Sequence, residues 1–203
     1  MKTVILDGHS VTPSKVVCVG RNYVEHIKEL NNEVPTSMVL FMKPNSAISC
    51  ELTTRDSPLH YEGEISFIIQ SGNIKAVGFG LDLTNRALQG ELKEKGLPWE
   101  RAKAFDGAAV MSSFVSIHPS DIEKLSMELW INGVLVQEGS TELMIYKPLS
   151  VVEEINSFST LVDNDIVMSG TPKGVGSYVK GDVFVGKIFL NQKEIVSQEW
   201  ITV

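Results

Sequence analysis

Cysteine is scarce in this chain, and long apolar runs, an excess of basic residues and complete glycine-rich nucleotide signatures are missing. The two cysteines, Cys18 and Cys50, stand far apart and outside any C-x-x-C spacing. That excludes a disulfide framework and a zinc knuckle, and it fits a reducing compartment. No stretch approaches the ~18 uninterrupted apolar residues that span a bilayer. The N-terminal MKTVILDGHS has only three apolar residues in a row before Asp7, too few for the core of a secretory signal. These absences predict a soluble, cytoplasmic protein with no membrane partner. Lys and Arg total 18 against 25 Asp and Glu, a formal net charge of -7, so the basic face with which nucleic-acid binders neutralise phosphates is lacking. Gly78-Phe79-Gly80 lacks the third glycine and the following helix of a dinucleotide fingerprint. SGTPKGVG lacks the spacing of a P-loop, although its backbone N–H groups can still face an anion. Clustered His or Cys ligands for zinc are missing as well.

What is present reads as β-rich. At 203 residues and 43% hydrophobic, the chain is long enough for one sizeable core. With no internal repeat, low-complexity tract or Pro- or Ser-rich linker, it is expected to form a single domain over residues 1–203. Val16 to Val19, Val39 to Met42, Ile65 to Ile69, Val77 to Leu83 and Ile166 to Met168 are short apolar runs with β-branched members, each a strand candidate. Asn132-Gly133 divides MELWINGVLVQEG as a type I′ turn does, both turn residues taking positive φ. Gly181-Asp182 and Asn191-Gln192 break the C-terminal runs similarly, predicting a meander that ends in Glu199 to Val203. Helices are few and short. Asn22 caps one with Glu25 three residues on, Thr84 opens one that Gly96 ends, and Ser150 with Glu153 forms a capping box for a third.

The strand LHYEGEISFII sets Glu62 and Glu64 two residues apart on one face, and Gly63 between them leaves the opposite face open to close packing. An E-x-E alone also fits a solvated edge strand. Here Ile65, Phe67, Ile68 and Ile69 follow and demand a core, and a third carboxylate, Asp82, interrupts the apolar AVGFGLDL. Buried carboxylates side by side repel one another and lose hydration, a cost that a divalent cation or shared protons must relieve. Three acidic groups from two strands suit a hard cation, Mg2+ or Mn2+, with water or substrate completing an octahedron.

In GRNYVEHIKEL the expected helix places His26 and Glu29 three residues apart on one face, where a carboxylate can orient an imidazole and raise its basicity. An exposed i,i+3 polar pair is the other reading. Arg21 stands at a strand-turn-helix junction, where it can pair with a carboxylate. Lys43 after MVLFM and Lys103 within LPWERAKAF are expected to snorkel to solvent. His9, His60 and His118 are expected at the surface or in turns.

Taken in order, VGRNYVEHIKEL, LFMKP, HYEGEI, GLDLTNRALQ, LPWERAKAFD and SGTPKGVG resemble successive signatures of the fumarylacetoacetate hydrolase family, over about residues 16 to 176. The resemblance is nearest to the branch of acylpyruvate hydrolases, fumarylpyruvate hydrolases and oxaloacetate decarboxylases. It implies an α+β, mostly β fold, a mixed β-roll with few short helices, in a homodimer. It implies that Glu62, Glu64 and Asp82 hold Mg2+ or Mn2+, that His26 and Glu29 activate water, and that Lys103 faces the substrate. Arg21, Arg86 and Gln89 match substrate-side residues, and Thr171 belongs to a loop that approaches the substrate carboxylate. The implied activity is hydrolysis of a C–C bond in a 2,4-dioxo acid such as an acylpyruvate. In that reaction His26 deprotonates water while the cation and Lys103 stabilise the departing enolate. Decarboxylation of oxaloacetate, isomerisation of an unsaturated oxo-dioate and a non-catalytic metal-binding role stay open as alternatives. In each catalytic case the small-molecule partner is a 2-oxo or 2,4-dioxo carboxylate, and the negative net charge then requires local cations or a metal to draw it in.

Overall fold

The computed structural model describes residues 1–30 and 35–203. The apolar runs form neighbouring strands of one large sheet. Lys15–Gly20 pairs antiparallel with Val39–Pro44 on one side and parallel with Ile166–Met168 on the other. Ile166–Met168 pairs antiparallel with Gly63–Gln70, which forms a hairpin with Asn73–Asp82. Ala109–Met111 and Ile48–Ser49 continue the order. A smaller antiparallel sheet runs Val134–Ser140, Leu125–Ile131, Val183–Leu190 and Lys193–Ile201. Its hairpin turns are the ones expected, with positive φ at Asn132 and Gly133 and again at Asn191 and Gln192. The architecture is mostly β, as expected.

The large sheet is buried on both faces, which is why its strands read as continuous apolar runs rather than an alternation. Val17, Val19, Ile65, Phe67, Ile69 and Phe79 pack toward the smaller sheet, against Met127, Leu129, Phe184 and Trp200. Val16, Cys18, Ile68 and Met168 face the other way, into a second cluster with Phe114. Because side chains alternate along a strand, Glu62 and Glu64 continue the stripe of Ser66 and Ile68 on this second face. Gly63 lies against the smaller sheet, where a Cβ would fall 2.9 Å from Phe79 Cζ and 3.0 Å from Gln137 Oε1. The close packing expected at Gly63 is therefore present.

The helices keep their places but not all of their caps. Helix α1, Val24–Glu29, has Tyr23 at its N-cap and no side-chain cap among the described residues. Asn22 instead donates Nδ2 to the carbonyls of Tyr146 (3.0 Å) and Ser169 (2.8 Å) and accepts the Tyr146 N–H at 2.7 Å. Three long-range bonds outweigh the one local bond a cap would make. Helix α2, Arg86–Glu94, is capped by Asn85, which accepts the Leu88 N–H at 3.1 Å, rather than by Thr84. Gly96 follows its end with positive φ, as expected. Helix α3 is the short Glu100–Lys103. Helix α4, Pro148–Phe158, starts two residues before the predicted cap Ser150. Pro148 at its first turn has φ already set for a helix and no N–H to leave unpaired. No helix among the described residues is long and apolar enough to cross a membrane.

The two parallel strands Lys15–Gly20 and Ile166–Met168 both run toward the acidic stripe and deliver the segments after Gly20 and Met168 to it. Asp165 sets their start. It accepts Ser14 N–H (3.0 Å) and Oγ (2.6 Å), Lys15 Nζ (2.6 Å) and Val162 N–H (3.0 Å). Burial alone would raise its pKa, but the bonds from Lys15, Ser14 and Val162 outweigh burial and hold the carboxyl below its ordinary value. Since the folded-state pKa lies below the unfolded one of about 3.9, this stabilisation is fully present above the unfolded value. It is lost as pH falls through the folded one. Urea unfolding of Asp165→Asn is therefore expected to show a loss of about 2–3 kcal/mol at pH 7, shrinking steadily in more acid solution. A loss independent of pH would contradict this account.

Candidate active site

The register of the hairpin builds an acidic floor. Gly63 pairs with Leu81 and Glu64 with Gly80. The Asp82 N–H donates to the Glu62 carbonyl at 2.8 Å, so Asp82 stands across from Glu62. The three side chains are buried, and each offers an oxygen within 4.8 Å of the others. The convergence expected from Glu62 and Glu64 is realised, and Asp82 joins them by cross-strand pairing.

Cations crowd this floor. Lys103, the last residue of α3, places Nζ 2.8 Å from Glu62 Oε2 and 2.7 Å from Asp82 Oδ2. Arg86, at the start of α2, pairs through Nη2 with Glu62 Oε1 and donates Nη1 to Gln89 Oε1 at 2.8 Å. Lys43 and Lys103 were both expected to snorkel to solvent, and both are buried. Lys43 Nζ donates to the carbonyls of Leu83, Lys103 and Ala108, which accounts for the three N–H groups of an ammonium. It also lies 2.7 Å from Asp82 Oδ1, yet that oxygen accepts no hydrogen bond from the described residues.

Burial would raise the Glu62 pKa, but Lys103 and Arg86 overcome it and hold this carboxyl well below its usual range. Glu64 behaves oppositely. Burial and the neighbouring Asp82 and Glu62 push it well above the usual range, against the Gly170 N–H that donates to its Oε2 at 2.8 Å. Burial would lower Lys103, but Asp82 and Glu62 raise it above its ordinary value. The floor therefore has two carboxylates answered by fixed cations and a third that is not. An all-oxygen donor set, an Asp82 oxygen with no donor and a carboxyl short of positive charge fit a hard divalent cation, which Glu62, Glu64 and Asp82 would hold.

His26, buried on α1, has Nδ1 3.1 Å from Glu29 Oε2. Glu29 Oε1 accepts the Gly174 N–H at 2.9 Å. The loop SGTPKGVG thus aims N–H donors at anions, as its composition suggested, but the anions are the protein's own Glu64 and Glu29. Position 174 requires glycine: φ is +101°, and a Cβ would lie 2.0 Å from the Val136 carbonyl oxygen. Thr171 is buried beside the floor, with its hydroxyl donating to Gly63 O at 2.9 Å and accepting from Gln137 Nε2 at 2.8 Å.

One cleft collects these groups. His26, Lys103, Arg21, Arg86, Gln89 and Thr171 line it around the three carboxylates, with Phe41 and Trp99 as apolar wall. Glu29 stands behind His26 and reaches the cleft through it. His9 is exposed and His118 serves a turn, as expected. His60 is instead half-buried in a two-residue strand paired with Ser177. Sequence reasoning missed Lys43 beneath the floor, Gln137 behind Gly63, and Lys93 on the cleft wall. Only Lys93 carried a local signal, seven residues after Arg86 and four after Gln89 on one helical face.

Residues 15–200 match the family model described as fumarylacetoacetate (FAA) hydrolase C-terminal. The chain is 36% identical over 200 residues to oxaloacetate tautomerase oaa1, mitochondrial, of Schizosaccharomyces pombe, covering 89% of this chain and 90% of that protein. It is 38% identical over 188 residues to oxaloacetate tautomerase YcgM of Escherichia coli, covering 83% of this chain and 85% of that one. A crystal structure from Oleispira antarctica, of a protein provisionally assigned as a fumarylacetoacetate isomerase/hydrolase, matches with TM-score 0.94 at 35% identity over 100% of both chains. Fumarylpyruvate hydrolase from Pseudomonas aeruginosa, solved in complex with Mn2+ and pyruvate, matches with TM-score 0.89 at 25% identity, covering 100% of this chain and 95% of that one.

A cation that binds only the folded floor stabilises the fold, so Mn2+ is expected to raise the thermal midpoint of the wild type. Loss of an outer partner already costs 10–100-fold in metal affinity. Calorimetry on Glu64→Gln is therefore expected to show Mn2+ affinity lower by about 100-fold or more. Equal affinity in the two proteins would remove Glu64 from the ligand set.

Proposed function

The chain belongs to the fumarylacetoacetate hydrolase family, and from that premise we propose that it is a divalent-cation-dependent enzyme interconverting the enol and keto forms of oxaloacetate. The observation that carries this reading is the buried carboxylate triad with Lys103 touching two of its members, in a cleft that His26 and Arg86 also line. Relatives named oxaloacetate tautomerases, at 36% and 38% identity, support the choice of substrate.

In this reaction the O–H bond at C2 of the enol breaks and a C–H bond forms at C3, so the site needs a proton carrier and a stabiliser of charge at the C2 oxygen. When bound, Mg2+ or Mn2+ would supply Lewis-acid polarisation of that oxygen. Lys103, held as an ammonium between Glu62 and Asp82, sets a fixed positive charge where negative charge develops. Glu29 only accepts hydrogen bonds when ionised, so its contact with His26 assigns the ring proton to Nδ1 and leaves Nε2 to take up or return a substrate proton. Arg86 and Gln89, joined to each other on α2, orient a substrate carboxylate. Phe41 and Trp99, with ring centroids 6.0 Å apart, exclude water from one side.

Hydrolysis of a C–C bond in a 2,4-dioxo acid is the second reading, favoured by the His26–Glu29 pair, which is the arrangement that deprotonates water. It passes through the same enolate, and it differs in needing a water attack at C4. For assembly we propose a homodimer. Val24, Leu135 and Leu143 are exposed around a groove beside the edge strand Val134–Ser140, an apolar surface of the kind a second copy covers.

The loss of enol absorbance after mixing oxaloacetate with the wild type and Mg2+ is expected to outrun the buffer rate. His26→Ala is expected to slow it about 10²–10⁴-fold. Acylpyruvate cleavage assayed on the same preparation decides between the readings: cleavage faster than tautomerisation overturns the first in favour of the second.

A further inference from the structure

The strand Ile166–Met168 covers its edge of Gly63–Gln70 only as far as Ser66. Beyond that point the acidic segment has no strand on this side, and side chains take over the hydrogen bonds. Ser169 donates N–H and Oγ to the Ile65 carbonyl at 3.2 and 2.7 Å. The Gly63 carbonyl accepts the Thr171 hydroxyl at 2.9 Å, and the Gly63 N–H donates to Gln137 Oε1 at 2.8 Å. Gln137 Nε2 donates in turn to Thr171 Oγ1 and to the Pro172 carbonyl, both at 2.8 Å. An N–H at one end of the amide and a carbonyl at the other leave it one orientation. Gly63, Gln137 and Thr171 thus close a ring of hydrogen bonds behind the acidic floor.

A bulge brings Gln137 inside. Val134–Ser140 pairs with Leu125–Ile131, but Gln137 stands opposite Leu129 while Leu135 stands opposite Trp130, so Val136 is an extra residue. In a regular strand Leu135 and Gln137 would share a face. A bulge re-aims the residues that follow it, and here Leu135 is exposed while Gln137 is buried. Two glycines make room for the amide. A Cβ at Gly63 would lie 3.0 Å from Gln137 Oε1, and one at Gly174 would lie 3.2 Å from Gln137 Cγ. Gly63 separates Glu62 from Glu64, and the Gly174 N–H holds Glu29.

We propose that Gln137 is a positioning residue for the cation site: by fixing Gly63 where the strand ladder has ended, it holds Glu62 and Glu64 at the spacing of a small divalent cation and biases the floor toward Mg2+ over Ca2+. The inference rests on the cation-dependent reading above and is independent of the choice of substrate. Mg2+ demands oxygens at about 2.0–2.1 Å in nearly ideal octahedral order, whereas Ca2+ accepts about 2.3–2.6 Å and looser geometry. A stiff backbone between the two glutamates is therefore worth more to Mg2+. Without the amide, this segment keeps its bonds to Asn73–Asp82 but loses the acceptor of the Gly63 N–H, and the Thr171 hydroxyl loses the donor that orients it.

Calorimetry with Mg2+ and with Ca2+ on the full chain tests this without turnover. Gln137→Met is expected to lower Mg2+ affinity by about 10–100-fold, the cost of losing a partner one layer behind the ligands. Ca2+ affinity is expected to fall by a smaller factor, so that the ratio of the two drops. Gln137→Met leaves the Gly63 N–H and the Pro172 carbonyl buried without this partner. Gln137→Ala opens space for water to meet them, and it is measured for the same change in ratio where Gln137→Met does not fold. Asp165→Asn weakens the fold at the other end of the parallel strands and is expected to leave both affinities as in the wild type. The proposal is overturned by unchanged Mg2+ affinity in the Gln137 variant, by equal losses for the two ions, or by the same change of ratio in Asp165→Asn. A wild type that binds no Mg2+ overturns it together with the cation-dependent reading. A Mg2+ preference that depends on Gln137, in a protein that turns over no oxaloacetate, upholds the positioning role and removes only the proposed reaction.

Discussion

Three carboxylates within a few ångströms of one another, nearly buried at the base of a cleft, are the constraint around which the rest of this protein is arranged. Such a group is tolerated only when positive charge and hydrogen-bond donors meet it from several sides. The chain supplies them from distant places: Lys43 below, Lys103 from α3, Arg86 from α2 and the Gly170 N–H from the loop after Ile166–Met168. The provision is uneven: Glu62 is well answered by Lys103 and Arg86, and Glu64 is not.

The same hairpin builds the core and the site. Alternate residues of Gly63–Gln70 face the smaller sheet and fill the space between the layers, while Glu62 and Glu64 use the other face. Because the carboxylates stand on or beside paired strands, their spacing is set by backbone hydrogen bonds, among them Asp82 N–H to Glu62 O. The His26–Glu29 side of the cleft is tied to that frame through one segment. The loop from Ser169 to Gly176 donates to Glu64 at one end and to Glu29 at the other, so the acidic floor and the His26–Glu29 pair keep a common reference. Asn22 holds α1 to the same loop through the Ser169 carbonyl.

What was legible in the amino-acid order was whatever depends on neighbours along the chain. The Asn132-Gly133 and Asn191-Gln192 turns were readable because positive φ is a property of a residue and its immediate backbone. The strands were readable because short β-branched runs have few other uses. The expected capping at Asn22, Thr84 and Ser150 failed for a common reason: each rule weighs one local hydrogen bond, and a tertiary partner or a better neighbour offered more. For Asn22 that was Tyr146 and Ser169, for Thr84 the adjacent Asn85, and for Ser150 the proline two residues earlier. The lysines failed in the same way. A lysine leaves water only if enough acceptors await it, and those of Lys43 are carbonyls up to 65 positions away.

The sequence by itself determined that Glu62 and Glu64 share a face, that a core begins beside them, and that a hard cation suits them, because strand periodicity and carboxylate chemistry need no knowledge of the fold. Its ordered motifs also determined the family. Only the tertiary structure decided that Asp82 lies across from Glu62, that Lys103 and Lys43 are drawn inward to meet them, and that Glu64 is the carboxyl left short of positive charge. It alone set Lys93 beside Arg21 and Arg86 on one wall. Each of these depends on hydrogen-bond register and long-range charge balance, which exist only once distant segments have been brought together.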